Sequence, residues 1–366
     1  MAFNPSSMSK VLVRATNWLG DAVMSLPAIR TIRQVFPHAH LAVLARPSVA
    51  DLYARERTID LVIPYPAPKG LHARREFAGR LRALGFDGAI LLPNAFDAAL
   101  MVWLAGIPER IGYGRDGRGM LLTRAIKVPE PGDIPRHERF YYLELLRRAG
   151  LIERFPESDT IRLDGIAEAC EAGAALLSSL CVAGPVIGIS PGAAYGDAKR
   201  WLPERFAESG RQLAGALEAR VLLFGTAAER PLCETVAEPL RRGGIEARNL
   251  AGETTLREFI DLAAACRLFL TNDSGAMHVA SALGVPTVAV FGATDDATTG
   301  PTGPLACVVR EHAECSPCLL RECPIDHRCM TRVAVARVTA AASLLLSRTE
   351  SDALNINGYA KQNPEP

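Results

Sequence analysis

The stretch 268-LFLTNDSGAMHVASALGVPTVAVFG-292 reads as a buried strand, a polar turn, a helix and a second buried strand. Its turn, Asn272-Asp273-Ser274-Gly275, falls where a strand ends and a helix begins. Such a junction points backbone N–H groups and the positive end of a helix dipole away from the sheet, which suits a phosphate or diphosphate. Ligands of open parallel sheets bind at this end of the strands. In isolation, Asp273 or Ser274 would more simply cap the helix. The rest of the chain bears on which role applies.

Upstream, 186-VIGIS-190 and 220-RVLLFG-225 are further apolar runs, with helices expected near 203–216, 229–242, 255–265 and 275–283. The first half repeats the rhythm: strands at 10-KVLVR-14, 40-HLAVLA-45, 60-DLVIP-64 and 88-GAILLP-93 alternate with helical segments. One helix enters near Asp21, and Pro27 should kink it or mark where its regular part begins. Residues 106–138, rich in Gly, Pro and Arg, read as loops with short strands. Strands alternating with helices imply parallel sheets. A length of 366 residues at 49% hydrophobic content supports two cores. The expected fold class is therefore α/β: two doubly wound, Rossmann-like parallel-sheet domains facing a central cleft, a common place for a substrate. The expected limits are a flexible N-terminus at 1–9, a first domain at 10–183, a second at 184–348 and a disordered tail at 349–366. The segment 181-CVAGP-185 reads as the linker.

Lys plus Arg number 41 against 40 for Asp plus Glu, so no overall basic field marks a nucleic-acid binder. Residues 1–183 carry 23 basic and 19 acidic side chains, a mildly positive half. Met1 to Lys10 is polar, unlike a signal peptide, and no apolar run reaches the roughly 18–20 residues of a membrane span. A cytoplasmic chain with at most peripheral membrane contact is expected.

Four strand-to-helix junctions carry polar residues at the same edge of their sheets. At Gly20-Asp21 the carboxylate caps a helix or serves as a general base. In 190-SPGAAYGDAKRW-201, glycines allow close backbone approach and Lys199 offers a mobile charge to phosphate oxygens, although the pattern is not a Walker A loop. In 224-FGTAAER-230, Glu229 suits a helix start or the hydroxyls of a ribose. The fourth is the opening stretch, where His278 lies one turn beyond Ser274, as a core residue or as part of the site.

The segments NWLGDAVMSLPAIR, PGAAYGDAKRW, LFGTAAER, LAGET and TNDSGAMHVASALGVPTVAVFG, in this order, resemble the ADP-heptose:lipopolysaccharide heptosyltransferases of glycosyltransferase family 9. The match spans roughly residues 10–345 and looks closer to the heptosyltransferase II subtype than to heptosyltransferase I. The resemblance implies a GT-B fold with the acceptor held mainly by the N-terminal domain and ADP-heptose by the C-terminal one. It implies an inverting displacement that requires no cofactor. Asp21 would be the base; Lys199, Asp273, Ser274, Gly275 and His278 would hold the donor sugar and diphosphate, with Glu229 at the ribose and Thr254 near the adenine. The acceptor would be a phosphorylated Kdo-lipid A carrying one heptose, reached at the inner face of the inner membrane. Gly20 and Asn94, with Lys69, Arg74 and Arg75 of a basic helix, are the acceptor-side candidates, although arginines at such spacing also describe a solvated helix face.

Cys315-x2-Cys318-x4-Cys323-x5-Cys329, in the loop 307–330, is dense enough in a cytosolic chain to suggest a structural zinc rather than disulfides. Its spacing departs from the best-known zinc patterns, and reduced cysteines packed in a loop are the alternative. Other classes with similar domains include an NAD-dependent oxidoreductase, a non-catalytic sugar-nucleotide binding protein and a sugar-nucleotide epimerase. The first is disfavoured because no G-x-G-x-x-G follows the first strand.

Overall fold

Each apolar run identified above becomes a strand, and all but the edge strand at Leu61–Pro64 are largely buried on both faces, which is what a parallel sheet covered by helices requires. The computed structural model describes residues 8–157 and 160–362, with side chains through residue 349. The chain divides into two compact units, Met1–Asp164 and Gly165–Pro366.

The first unit runs β1 (Lys10–Arg14), α1 (Leu19–Val35), β2 (His40–Ala45), α2 (Pro47–Tyr53), β3 (Leu61–Pro64), α3 (Leu71–Ala83), β4 (Gly88–Leu91), α4 (Phe96–Leu104), β5 (Glu109–Tyr113), β6 (Arg124–Ile126) and α5 (Arg139–Arg148). Its strands pair in parallel in the order β3-β2-β1-β4-β5-β6. Val11, Leu12 and Val13 of the central strand are fully buried. Helix α1 turns Ala22, Leu26, Ile29 and Ile32 inward, and Pro27 lies within it rather than at its start.

The second unit runs α6 (Ile166–Ser179), β7 (Val186–Ser190), α7 (Pro203–Leu217), β8 (Arg220–Leu223), α8 (Arg230–Arg242), β9 (Ala247–Asn249) and α9 (Leu256–Ala264). It continues through β10 (Leu268–Asn272), α10 (Gly275–Ala282), β11 (Thr287–Phe291), α11 (Asp296–Thr299), β12 (Ala306–Arg310), α12 (Arg328–Thr331) and α13 (Val335–Gln362). The sheet order is β12-β11-β10-β7-β8-β9, again all parallel. Counted within its own unit, each sheet is 3-2-1-4-5-6.

The boundary differs from the expected 183/184. Helix α6 belongs to the second unit because it lies directly on α9: a Cβ on Gly173 would sit 2.0 Å from the carbonyl oxygen of Asp261, so only glycine permits this approach. Segment 181–185 is thus an internal connection of that unit. Two short edge strands were not anticipated: β9 has no distinct apolar signal, while β12 lies in the apolar run 305-LACVV-309. The tail expected to be disordered from 349 is helical through Gln362; residues 363–366, like residues 1–7 of the expected flexible N-terminus, lie outside the described residues. Among the described residues no helix is long and apolar enough to cross a membrane.

Candidate active site

In a 3-2-1-4-5-6 sheet the connections leaving strands 1 and 4 run to opposite faces, which opens a crevice at the carboxyl ends of those two strands. Both units put their polar residues there.

In the first unit the segment after β1 supplies Thr16, Asn17, Trp18 and Asp21, and the segment after β4 supplies Asn94. With Glu138 and Tyr141 at the start of α5 they line a cavity of about 290 Å³. Asp21 stands in the first turn of α1, next to Gly20, where the helix dipole favours a carboxylate. The cap position itself is Trp18, which makes no side-chain cap. Asn94 is fixed from two sides: its amide donates to the Tyr141 hydroxyl at 2.8 Å, and its Oδ1 accepts from Arg118 at 3.4 Å. Burial, together with the charge of nearby Asp21, raises the Glu138 carboxyl from its ordinary 4.5 to about 7.

In the second unit the loop after β7 carries Lys199, whose ammonium donates to Asp273 Oδ2 at 2.6 Å. Thr294, just beyond β11, donates to the same oxygen at 2.5 Å. Side-chain exposure is only 12% for Lys199 and 5% for Asp273, so this is a shielded ion pair held at the strand ends. The ammonium also lies 4.8 Å from the centre of the Tyr195 ring. Asn272 locks the loop to β10: its amide donates to the Pro191 carbonyl at 2.7 Å and its Oδ1 accepts from the Trp201 N–H at 2.9 Å. Ser274 occupies the cap position of α10 but makes no side-chain cap; its hydroxyl lies 3.1 Å from that of Thr271. The first turn of α10, beginning at Gly275, therefore keeps its N–H groups clear of a side-chain cap, beside a lysine. Exposed N–H groups at a helix start beside a cation are an arrangement that suits a phosphate or diphosphate.

Residues 74–328, well over half of the chain, match glycosyltransferase family 9 (heptosyltransferase). The chain belongs to glycosyltransferase family 9. It is 34% identical over 308 residues to the lipopolysaccharide heptosyltransferase 2 of Salmonella typhimurium and to that of Escherichia coli K12, covering 82% of this chain and 88% of each relative. The structure of the E. coli ADP-heptose lipopolysaccharide heptosyltransferase II matches with a TM-score of 0.77 at 29% identity, over 93% of this chain and 99% of that one. This family 9 member is thus a glycosyltransferase of GT-B fold, as the resemblance implied.

The structure brings Asp21, Gly20 and Asn94 to one crevice and Lys199, Asp273, Ser274 and Gly275 to the other. His278 is buried one turn along α10. Glu229 closes a capping box, accepting from both the N–H (2.8 Å) and the hydroxyl (2.9 Å) of Thr226, so the helix-start role is realised. It also lies against the β7 loop: a Cβ on Gly192 would meet its Oε1 at 2.0 Å. Thr254 is half-buried in the turn after β9, where Thr255 caps α9. Lys69, Arg74 and Arg75 do not line the cavity; Arg74 is engaged with Asp97 at 3.1 Å, while Lys69 and Arg75 are exposed. Burial and the neighbouring Cys315, Cys318 and Cys323 push the Cys329 thiol up, so the four thiols are neighbours. Among the described residues no three His, Cys, Asp or Glu side chains converge as a metal site. Sequence reasoning gave no role to Glu138, Tyr195 or Thr294. Thr294 follows the Gly292 that closes the opening stretch, and Tyr195 lies inside the lysine loop, so their positions were in view without a signal for their chemistry.

Proposed function

We propose that this enzyme moves L-glycero-D-manno-heptose from ADP-heptose to the heptosyl-Kdo2-lipid A inner core, the heptosyltransferase II reaction of lipopolysaccharide biosynthesis. Support for the subtype comes from its 34% identity to relatives named lipopolysaccharide heptosyltransferase 2. The observation that carries the chemistry is the Lys199–Asp273–Thr294 cluster beside the start of α10. Negative charge grows on the departing diphosphate in the transition state, and a fixed ammonium with backbone N–H groups stabilises it there. On this reading the acceptor hydroxyl gives its proton to Asp21 and attacks the anomeric carbon from the face opposite ADP. ADP leaves with the bonding electron pair, and the configuration inverts. The residues holding the charge are the chain's own, and the reaction requires no cofactor. Glu229, with Thr254 nearby, would meet the adenosine. The exposed Lys69 and Arg75 would meet anionic groups of a lipid-borne acceptor at the inner face of the inner membrane.

Offering ADP-heptose with Kdo-lipid A bearing zero, one or two heptoses, and weighing the product, tests this reading. A single heptose added to the mono-heptosyl acceptor is expected. Addition to the heptose-free acceptor would make the enzyme a heptosyltransferase I instead, and no ADP release with any of the three would leave only a sugar-nucleotide binding protein.

A further inference from the structure

The acceptor-side cavity holds a second carboxyl group for which the reaction above has no use. Asp21 is in the first turn of α1, and Glu138 immediately precedes the first residue of α5; the two helices pack together, and both side chains line the same 290 Å³ cavity. Glu138 does no capping work for its own helix. The α5 cap position makes no side-chain cap, and the packing surface of α5 is supplied by Tyr142, Leu143, Leu145 and Leu146.

We propose that Glu138 works beside Asp21 as the second half of a carboxyl pair, Asp21 taking the proton of the attacking hydroxyl and Glu138 holding a neighbouring oxygen of the same acceptor sugar. This rests on the reading of Asp21 as the base. A sugar hydroxyl offered to a single carboxylate can swing about its C–O bond, whereas a second hydrogen bond to the adjacent oxygen fixes the ring and aims the nucleophile. Two ionised carboxylates side by side would repel each other and an anionic acceptor, so the pair works with one proton shared between two acids. Glu138 is the member that carries it. Burial and the Asp21 charge lift it to about 7, so below neutrality it is an O–H donor.

The surrounding charges do not offset this. On the strand side, Arg14 donates to Asn17 at 2.8 Å and lies over the Tyr65 ring. From the loop after β5, Arg118 donates to the Tyr113 carbonyl at 2.8 Å, and Arg115 pairs with Asp116 at 3.6 Å. Arg139 of α5 lies over the Phe140 ring at 4.7 Å. Also beside Glu138 are His137, whose Nδ1 accepts from the Arg139 N–H at 3.2 Å, and three phenols: Tyr141, hydrogen-bonded to Asn94 and Arg115, and the buried Tyr142 and Tyr53, all held above their usual range by burial and therefore neutral here. In the step itself the hydroxyl proton passes to Asp21, the new C–O bond forms, and the bond to the diphosphate breaks towards ADP. Glu138 keeps its proton throughout.

The test measures initial rates from pH 5.5 to 8.5 with ADP-heptose and the mono-heptosyl acceptor, for wild type, Glu138→Gln, Glu138→Ala and Asp21→Asn. In wild type, kcat/KM for the acceptor should fall about tenfold for each unit above pH 7 as Glu138 ionises. Glu138→Gln cannot ionise and should lose that limb. Glu138→Ala should raise the acceptor KM about tenfold, the usual weight of one hydrogen bond to a bound sugar, with the donor KM held within twofold. A limb near pH 7 that persists in Glu138→Gln, or an acceptor KM that does not move in Glu138→Ala, overturns the proposal. Should the alanine protein not fold, the isosteric glutamine variant decides through its pH profile. Asp21→Asn separates the two readings: near-normal turnover there removes Asp21 as base, while a crippled Asp21→Asn beside indifferent Glu138 variants removes only the pair.

Discussion

The crevices of the two units share one topology and carry opposite chemistry. Each opens between the first and fourth strands of a 3-2-1-4-5-6 sheet. In the first unit it is lined by Asp21 and Glu138, together with Asn94 and Tyr141. In the second it holds a lysine, two hydroxyl residues and a helix N-terminus, with Asp273 balancing the lysine charge. A repeated sheet order therefore fixes where a ligand binds and says nothing about its charge. The residues in the two connections decide that: a helix opening on Gly20-Asp21 puts a carboxylate in one crevice, and a loop ending in Lys199 before an uncapped α10 puts an ammonium and free helix N–H groups in the other, which on the proposed reading are the proton-accepting and diphosphate ends of the reaction.

The sharpest way to break this contrast is to neutralise the first crevice. Asp21→Asn should lower kcat by roughly 10²–10⁴ while donor binding survives, read by single-turnover rates beside ADP-heptose titration. Next is the second crevice: Lys199→Met should cost about 10²–10³ in kcat/KM for the donor and spare the acceptor KM, because it removes charge only where the leaving group departs. Equal losses for both substrates would erase the division of labour. A third effect separates the crevices by pH. Glu138 titrates higher in the fold than in the unfolded chain, so its penalty is absent at low pH and is fully present above about pH 7. Glu138→Gln should accordingly stabilise the protein by roughly 1–3 kcal/mol at pH 8 and hardly at all at pH 4.5, as read by urea unfolding. Smaller still, Glu229→Ala should cost about 1 kcal/mol through the lost cap and raise the donor KM if the same carboxylate meets the ribose. Reversing Arg75 together with Arg74 should raise the acceptor KM about threefold at low salt, with the effect fading as salt screens it.

Much of this was legible in the sequence, because burial on both faces leaves strands such as Val11-Leu12-Val13 as unbroken apolar runs. The residues that follow those runs were correctly placed at strand ends, which is why Asp21, Lys199 and Asp273 could be named. Edge strands were harder: β12 is only partly buried and alternates no clear pattern. The boundary was missed because α6 carries no mark of ownership until Gly173 meets the Asp261 carbonyl, a contact between residues far apart in the chain. Glu138 was missed for a related reason. An acid at a helix start is ordinary, and only the packing of α5 on α1 brings it beside Asp21. For the four cysteines the sequence gives spacing alone, and spacing along a loop does not by itself fix how the thiols are oriented towards one another.

The loop bearing Lys199 is also tethered from behind. The Ala198 N–H donates to the Arg321 carbonyl at 3.0 Å, its own carbonyl meets His327 Nε2 at 3.0 Å, and the Tyr195 hydroxyl donates to the Leu319 carbonyl at 2.7 Å. All three anchors lie in the segment that contains the clustered thiols, and Cys315 there is exposed. Alkylation or oxidation of that segment would slacken the backbone that carries the Lys199 ammonium, giving the loop a vulnerability to electrophiles remote from Lys199 itself.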